Sequence, residues 1–180
     1  MTTITEAMTG SLLGDAFAHN VWATERLIDE CATLTEEQLD TEVPGTYGSI
    51  ISTLRHLVRA DRWYLTRYPD ISQLPELDEE APLSLDELRT EMAANADAWT
   101  KVLATGTDPE ADVPESGDGW EFHAPLGFRL AQVVHHGTDH RSQVCTALTI
   151  LGRTPPEIDV WAYGEATGRS RSIVEARPGE

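Results

Sequence analysis

His136 and His140 stand four residues apart in the run His135-His136-Gly137-Thr138-Asp139-His140-Arg141-Ser142-Gln143. On an α-helix that spacing puts both imidazoles on one face, one turn apart. Two imidazoles so placed can share one divalent metal ion. A third from a facing helix completes a three-histidine set with open positions, the arrangement of catalytic rather than structural zinc. At about 100° per residue, with His136 at zero, His140 falls near 40°, Gln132 near −40° and Gln143 near −20°. Gln132 and Gln143 are therefore placed to orient the ligands, while His135 and Arg141 fall off that face. His56, on an earlier helical segment, sits at the margin of its buried arc beside Ala60 and Trp63. Spacing alone does not single it out as third ligand, since His19 and His123 compete for that place. Surface or capped histidines are the plainer reading of the same residues.

The elements that must position these side chains follow from periodicity and caps. A loose start at Met1 to Thr5 leads into a first helix from about Glu6 to Thr33, with Leu13, Phe17, Asn20, Thr24, Leu27, Ile28 and Cys31 on one stripe. Thr35-Glu36-Glu37-Gln38 has capping-box form and opens a short turn of helix. After a loop at Pro44 to Gly48, Ser49 caps a second helix that runs to about Arg67 and stops before Pro69. Its apolar stripe is Leu54, Leu57, Val58 and Leu65, and Arg55, Arg59 and Arg62 form its wet face. Ser84-Leu85-Asp86-Glu87 is a capping box for a third helix to about Ala104. A fourth runs from about Phe128 to Ile150 and closes at Gly152. Pro156 opens a short C-terminal helix to about Thr167, and the polar tail Gly168 to Glu180 is expected to be mobile. Four long helices around one core predict an all-α, four-helix bundle. The connections Asp70 to Leu83, rich in Pro and acid, and Thr105 to Gly127, which suits a small hairpin or irregular loop around Trp120 to His123, are long enough to rim a pocket.

The 180 residues suit a single domain and carry a net charge of −18. That charge argues against binding to nucleic-acid phosphates or to anionic membranes. No signal-peptide pattern or run of ~20 apolar residues is present, so the expected location is the cytoplasm. Cys31 and Cys145 are too few for a disulfide framework and read as packing thiols. Lys101 is the only lysine among 13 basic residues, which points to a GC-rich genome, and the acid excess also fits a salt-adapted source.

The run Leu54-Arg55-His56-Leu57-Val58-Arg59-Ala60-Asp61-Arg62-Trp63-Tyr64-Leu65 resembles the second-helix signature of the DinB-like (YfiT-like) metalloenzymes. His136-Gly137-Thr138-Asp139-His140-Arg141-Ser142-Gln143 resembles their fourth-helix signature, and Pro155-Pro156-Glu157-Ile158-Asp159-Val160-Trp161 their usual ending. The resemblance covers about Leu12 to Gly164, within one domain over residues 1–180. It implies a four-helix bundle of up-down-down-up order with a short C-terminal helix, and often a homodimer. It also implies three metal ligands, which fall on His56, His136 and His140, with zinc or nickel as the usual metal. Related members include mycothiol-dependent isomerases and bacillithiol S-transferases. The implied activity is thus transfer or isomerisation with a low-molecular-weight thiol such as mycothiol acting on a small electrophile.

Two other functions fit the same residues. A metal-dependent hydrolase would need a base, for which Asp139, Asp61 or a glutamate is available. A non-catalytic metal- or ligand-binding stress protein would keep the bundle without turnover. Asp139 also stands where it can steer the site electrostatically. Asp61 and Tyr64 could line a pocket below His56, with ordinary helix packing an equal alternative. The acidic run Glu76 to Glu80 reads as a solvated loop, and Trp22, Trp63, Trp99, Trp120 and Trp161 as core or rim. Val134, Val144 and Leu148 lie away from the histidine face, which points to a homodimer through the first and fourth helices.

Overall fold

A computed structural model describes residues 13–68, 73–106 and 108–171. In these the chain forms α1 (Gly14–Cys31), α2 (Glu36–Leu39), α3 (Ile50–Leu65), α4 (Leu85–Ala104), β1 (Glu115–Gly117), β2 (Trp120–Phe122), α5 (Leu126–Ile150) and α6 (Val160–Thr167). The expected loose start, the first turns of the expected first helix, Pro69, and the polar tail beyond residue 171 lie outside the described residues. The fold is all-α apart from one small antiparallel hairpin, in which Ser116 faces Glu121.

Local chemistry sets most boundaries. Thr35 and Ser84 each form a reciprocal capping box, with Gln38 and Glu87. Ser49 accepts from the Ser52 amide at the start of α3. The end of α5 is a Schellman motif: Arg153 N–H donates to Leu148 O, Gly152 N–H donates to Thr149 O, and Gly152 takes a φ of 74°. Two boundaries differ from expectation. Helix α5 starts at Leu126, because the Gly127 amide is already tied to Pro109 O. Helix α6 starts at Val160 and not at Pro156, because the Asp159 carboxylate caps the Ala162 amide.

The four long helices pack with α1 and α3 on one diagonal and α4 and α5 on the other. Phe17 meets Trp99 and Asp29 meets Arg89, so α1 and α4 run in opposite senses. Tyr47 and Tyr64 meet Gln143 and His136 respectively, so α3 and α5 also oppose each other. Asn20 meets Arg141 and Glu30 meets Arg153, so α1 and α5 run the same way.

The interior is not one continuous apolar core. One cluster gathers Leu27, Ile28, Ile50, Leu54, Val58, Leu88, Met92, Val144 and Leu148. A second gathers Phe17, Leu65, Trp99, Val102, Leu130, Val133 and Tyr163. Between them lies a buried polar layer of Asn20, Thr24, Asp61, Arg62, Asn95 and Arg141. Arg141 Nη1 donates to Asn20 Oδ1 at 2.6 Å, Asn20 Nδ2 donates to Asp61 Oδ1 at 3.4 Å, and Trp99 Nε1 donates to Asp61 Oδ2 at 2.9 Å. Arg62 Nε donates to Asn95 Oδ1 and its Nη2 holds Glu91, both at 2.6 Å. Arg62 therefore belongs to the interior and not to the wet face its helical angle suggested. A guanidinium can be buried there because its donors are met by an amide and a carboxylate.

Val144 and Leu148 are used inside the first cluster and Val134 packs against the second, while Phe128 and Ile150 are the large apolar side chains that α5 leaves exposed. Leu13 and Trp161 are exposed, Trp161 at 76%, and neither packs as its sequence pattern suggested. No described helix is long and apolar enough to cross a membrane.

Candidate metal centre

Helix α5 carries His136 and His140 on one face, as their spacing requires, and the facing helix α3 brings His56 against them. His56 Nε2 and His136 Nε2 are 3.1 Å apart. One ring nitrogen from each of His56, His136 and His140 lies within 4.8 Å of the others. A zinc ion at ~2.0–2.1 Å from three nitrogens sets them about 3.3 Å apart, so the rings need only small adjustments to meet one ion. Among the described residues this is the only such cluster of His, Cys, Asp and Glu.

The surroundings keep two of the three rings in the form that binds metal. His136 is held at a pKa of about 4, mainly by burial and then by the nearby His140 and His56, with Asp139 opposing. His56 is shifted down as well, by burial first and then by His140 and Arg59. Both therefore present neutral imidazole with a free lone pair at neutral pH. His140 Nδ1 donates to Gln143 Oε1 at 3.0 Å, and the same oxygen accepts from the Tyr47 amide at 3.1 Å. Because a backbone N–H can only donate, the atom it meets is the amide oxygen. That fixes the tautomer of His140 and leaves its Nε2 lone pair for the site. Gln143 thus does what its place on the helix face suggested. Gln132 is exposed and makes no contact with the histidines.

Tyr47 was not legible as a site residue. Its ring stacks on His56 with centroids 4.0 Å apart and 18° between planes, and it meets His140 edge-on at 5.3 Å. The only signal was an aromatic residue set between Gly45 and Gly48 just before a capped helix.

A pocket of about 660 Å³ opens beside the cluster, within the range of small-molecule sites. Its α3 wall presents Arg55, His56, Arg59, Trp63 and Tyr64, and the loop before α4 presents Glu76, Glu79 and Glu80. Two expectations change here. The acidic run is a pocket wall and not merely a solvated loop, because Arg55 Nε donates to Leu83 O at 2.8 Å and Arg59 Nη2 donates to Ala81 O, drawing the loop onto α3. Tyr64 lines the pocket, but Asp61 does not; it is buried in the polar layer. Burial pushes its carboxyl up to about 6 against the pull of Trp99 and Arg141.

The other histidines and thiols lie elsewhere. His19 Nε2 bonds Ile158 O at 2.8 Å, His123 Nδ1 pairs with Asp112 at 2.6 Å, and His135 is exposed. Cys31 is buried, with its thiol pushed up to about 12 by burial, and Cys145 is half-buried against the first cluster with its thiol also raised. Both are packing residues. Trp120, half exposed on the hairpin, does not reach the pocket, whereas Trp63 does, with the Arg67 guanidinium 4.3 Å from its ring centre.

Fold and site together define a helical-bundle protein with three histidines converging beside a pocket that His56 and His136 line. The DinB family model matches residues 6–176, and the chain belongs to the DinB family. No curated protein matches this chain.

Proposed function

We propose that His56, His136 and His140 hold one divalent ion, zinc or nickel, and that the protein catalyses a thiol S-transfer or a thiol-dependent isomerisation of a small electrophile. Mycothiol is one candidate thiol. The observation that carries this reading is the convergence of three imidazoles, two of them held neutral, beside an open pocket of small-molecule size. A bound divalent ion lowers the pKa of a thiol that joins it, so thiolate is available at neutral pH.

The protein's own groups do the rest. Burial keeps His56 and His136 unprotonated. Gln143 holds His140 in one tautomer, and Tyr47 shields one face of His56 from water. Trp63 offers the electrophile an apolar surface. In the transfer, the thiol proton passes to solvent, a sulfur–carbon bond forms, and the bond to the leaving group breaks with its electron pair going to that group. In an isomerisation, the same sulfur–carbon bond forms and later breaks, returning the thiol.

One observation favours a second reading, metal-dependent hydrolysis: Glu76, Glu79 and Glu80 face the pocket, where a carboxylate could take a proton from water. The same pocket could also serve a non-catalytic binding protein. We further propose a cytoplasmic, single-domain homodimer that binds neither nucleic acid nor membrane. The dimer rests on the family resemblance alone, because Val144 and Leu148 are used in the core, and light scattering giving a monomer mass at micromolar concentration overturns it.

The test begins with metal content. Untagged protein should carry or take up about one divalent ion per chain. His56→Ala, His136→Ala and His140→Ala should each abolish tight binding, while His123→Ala and His135→Ala should not. Metal-loaded protein is then offered mycothiol, bacillithiol, glutathione and cysteine with monochlorobimane. Turnover with one thiol, lost in metal-free protein and in His140→Ala, supports transfer. Metal-dependent cleavage of esters or amides without thiol use supports hydrolysis. Absence of metal uptake rejects the site.

A further inference from the structure

We infer that the thiol taken by this pocket bears a free carboxylate, held by the guanidinium groups of Arg55 and Arg59 beside His56. The inference deepens the thiol reading above and rests on it.

In an acid-rich chain with 31 Asp and Glu against 13 basic residues, arginines find carboxylates easily. Arg62, Arg67, Arg89, Arg129, Arg153 and Arg169 all do. Arg55 and Arg59 have no ion pair among the described residues, although both line the pocket together with three glutamates. Each instead spends one donor on a backbone carbonyl: Arg55 Nε on Leu83 O and Arg59 Nη2 on Ala81 O. A carbonyl satisfies a hydrogen bond but does not neutralise the charge. The Nη groups of Arg55 and Nη1 of Arg59 have no partner among the described residues and are not sealed from solvent. Two positive charges thus remain on one wall of a concave site.

Their place on α3 matters as much as their charge. Arg59 is three residues beyond His56 and Arg55 immediately precedes it, so Arg59 and His56 share a helix face at about 5–6 Å between Cβ atoms. A ligand whose sulfur sits at the histidine cluster, with a carboxylate a few bonds away, spans that gap. Cysteine derivatives with a free carboxyl have this shape. Arginine suits the task because its donors form a planar fork that matches a carboxylate. Mycothiol, whose cysteine carboxyl is tied up in an amide, should bind less well than a thiol with a free carboxyl, which narrows the class of thiol proposed above.

The test compares N-acetylcysteine with N-acetylcysteamine, which differ by the carboxylate alone and lack an amine that could chelate metal. Both are titrated calorimetrically into zinc-loaded protein. The native protein should bind N-acetylcysteine about tenfold or more tightly than N-acetylcysteamine, the scale of a hydrogen bond to a charged group. Arg59→Gln should bring that ratio below about threefold, and Arg55→Gln should lower it as well. Arg59 also holds the loop through Ala81, and loss of that purely structural role would weaken both probes alike. Equal loss for both probes therefore overturns the inference, and so does equal affinity in the native protein, which leaves the thiol reading standing. Binding of neither probe removes the thiol reading itself and the inference with it. Arg55→Gln serves alone if Arg59→Gln does not fold.

Discussion

Replacing Gly137 with alanine should destabilise the protein, the reverse of what a glycine-to-alanine change does in most helices. In a helix interior, alanine is favoured over glycine by about 1 kcal/mol. At Gly137, however, a Cβ would stand 2.3 Å from Asn20 Oδ1 and 2.8 Å from Arg141 Nη1. The amide of Asn20 would have to retreat by roughly 1 Å to reach ordinary van der Waals contact. It cannot do so and keep its 2.6 Å bond to Arg141, which is buried at 2% exposure. Losing a hydrogen bond to a buried charge costs about 1.5–3 kcal/mol, and the strain on Asn20–Asp61 adds to it. Set against the helix gain, the net loss is about 1–2 kcal/mol, or roughly 2–8 °C in Tm for a chain of this size. Urea and thermal denaturation of the metal-free protein measure it. Asn20→Ala supplies the control, since with the amide gone Gly137→Ala should lose most of its penalty, giving a coupling of about 1 kcal/mol or more. A higher Tm for Gly137→Ala, or strict additivity in that cycle, would show that the close approach is not what glycine serves here.

Gln143→Ala should weaken zinc binding about 10- to 100-fold in a chelator competition, because it frees the tautomer of His140; unchanged affinity would remove that role. Tyr47→Ala should cost about three- to tenfold in the same assay, on the scale of an aromatic pair, with Tyr47→Phe close to native; equal effects of the two would point to the hydroxyl and not the stack. Acid should destabilise the metal-free protein. With a pKa of about 4 folded and 6.5 unfolded, His136 binds fewer protons in the native state between those values, so stability rises with pH across that window. The full gap is worth about 3 kcal/mol, and roughly half of that after solvent screening of a half-exposed ring. His136→Phe should flatten the slope of stability between pH 4 and 6.5, and an unchanged slope would count against it.

What could be read from the chain depended on whether the signal was local. Capping boxes at Thr35 and Ser84, the cap at Ser49 and the stop at Gly152 are decided within a few residues, and each lies where it was expected. His136, His140 and Gln143 share a face by helix geometry alone. His56 could not be separated from His19 and His123 by spacing, because its relation to the pair depends on how α3 packs; only the family resemblance pointed to it. Arg62 was misplaced for a related reason. A helical wheel assigns arginine to water, and its burial is stable only because Asn95 and Glu91 come from a facing helix. Tyr47 and the glutamates of the pocket wall belong to segments without periodicity, placed by a few bonds to distant backbone.

The polar layer between the two apolar clusters also works as a ruler. Apolar surfaces tolerate sliding, since one leucine contact substitutes for another with little loss. A one-turn slip of α5 would carry the Arg141 guanidinium about 5.4 Å into an apolar cluster and strand its charge there. Asn20, Asp61 and Arg141 therefore index the height of α5 against α1 and α3. His56 and His140 lie within one or two turns of that mark on their helices. A site divided between two helices that run in opposite senses can be out of step by any sliding of one past the other. Here the index mark is cut into the same helices that carry the three histidines, so the registration of their imidazoles is set when the bundle closes.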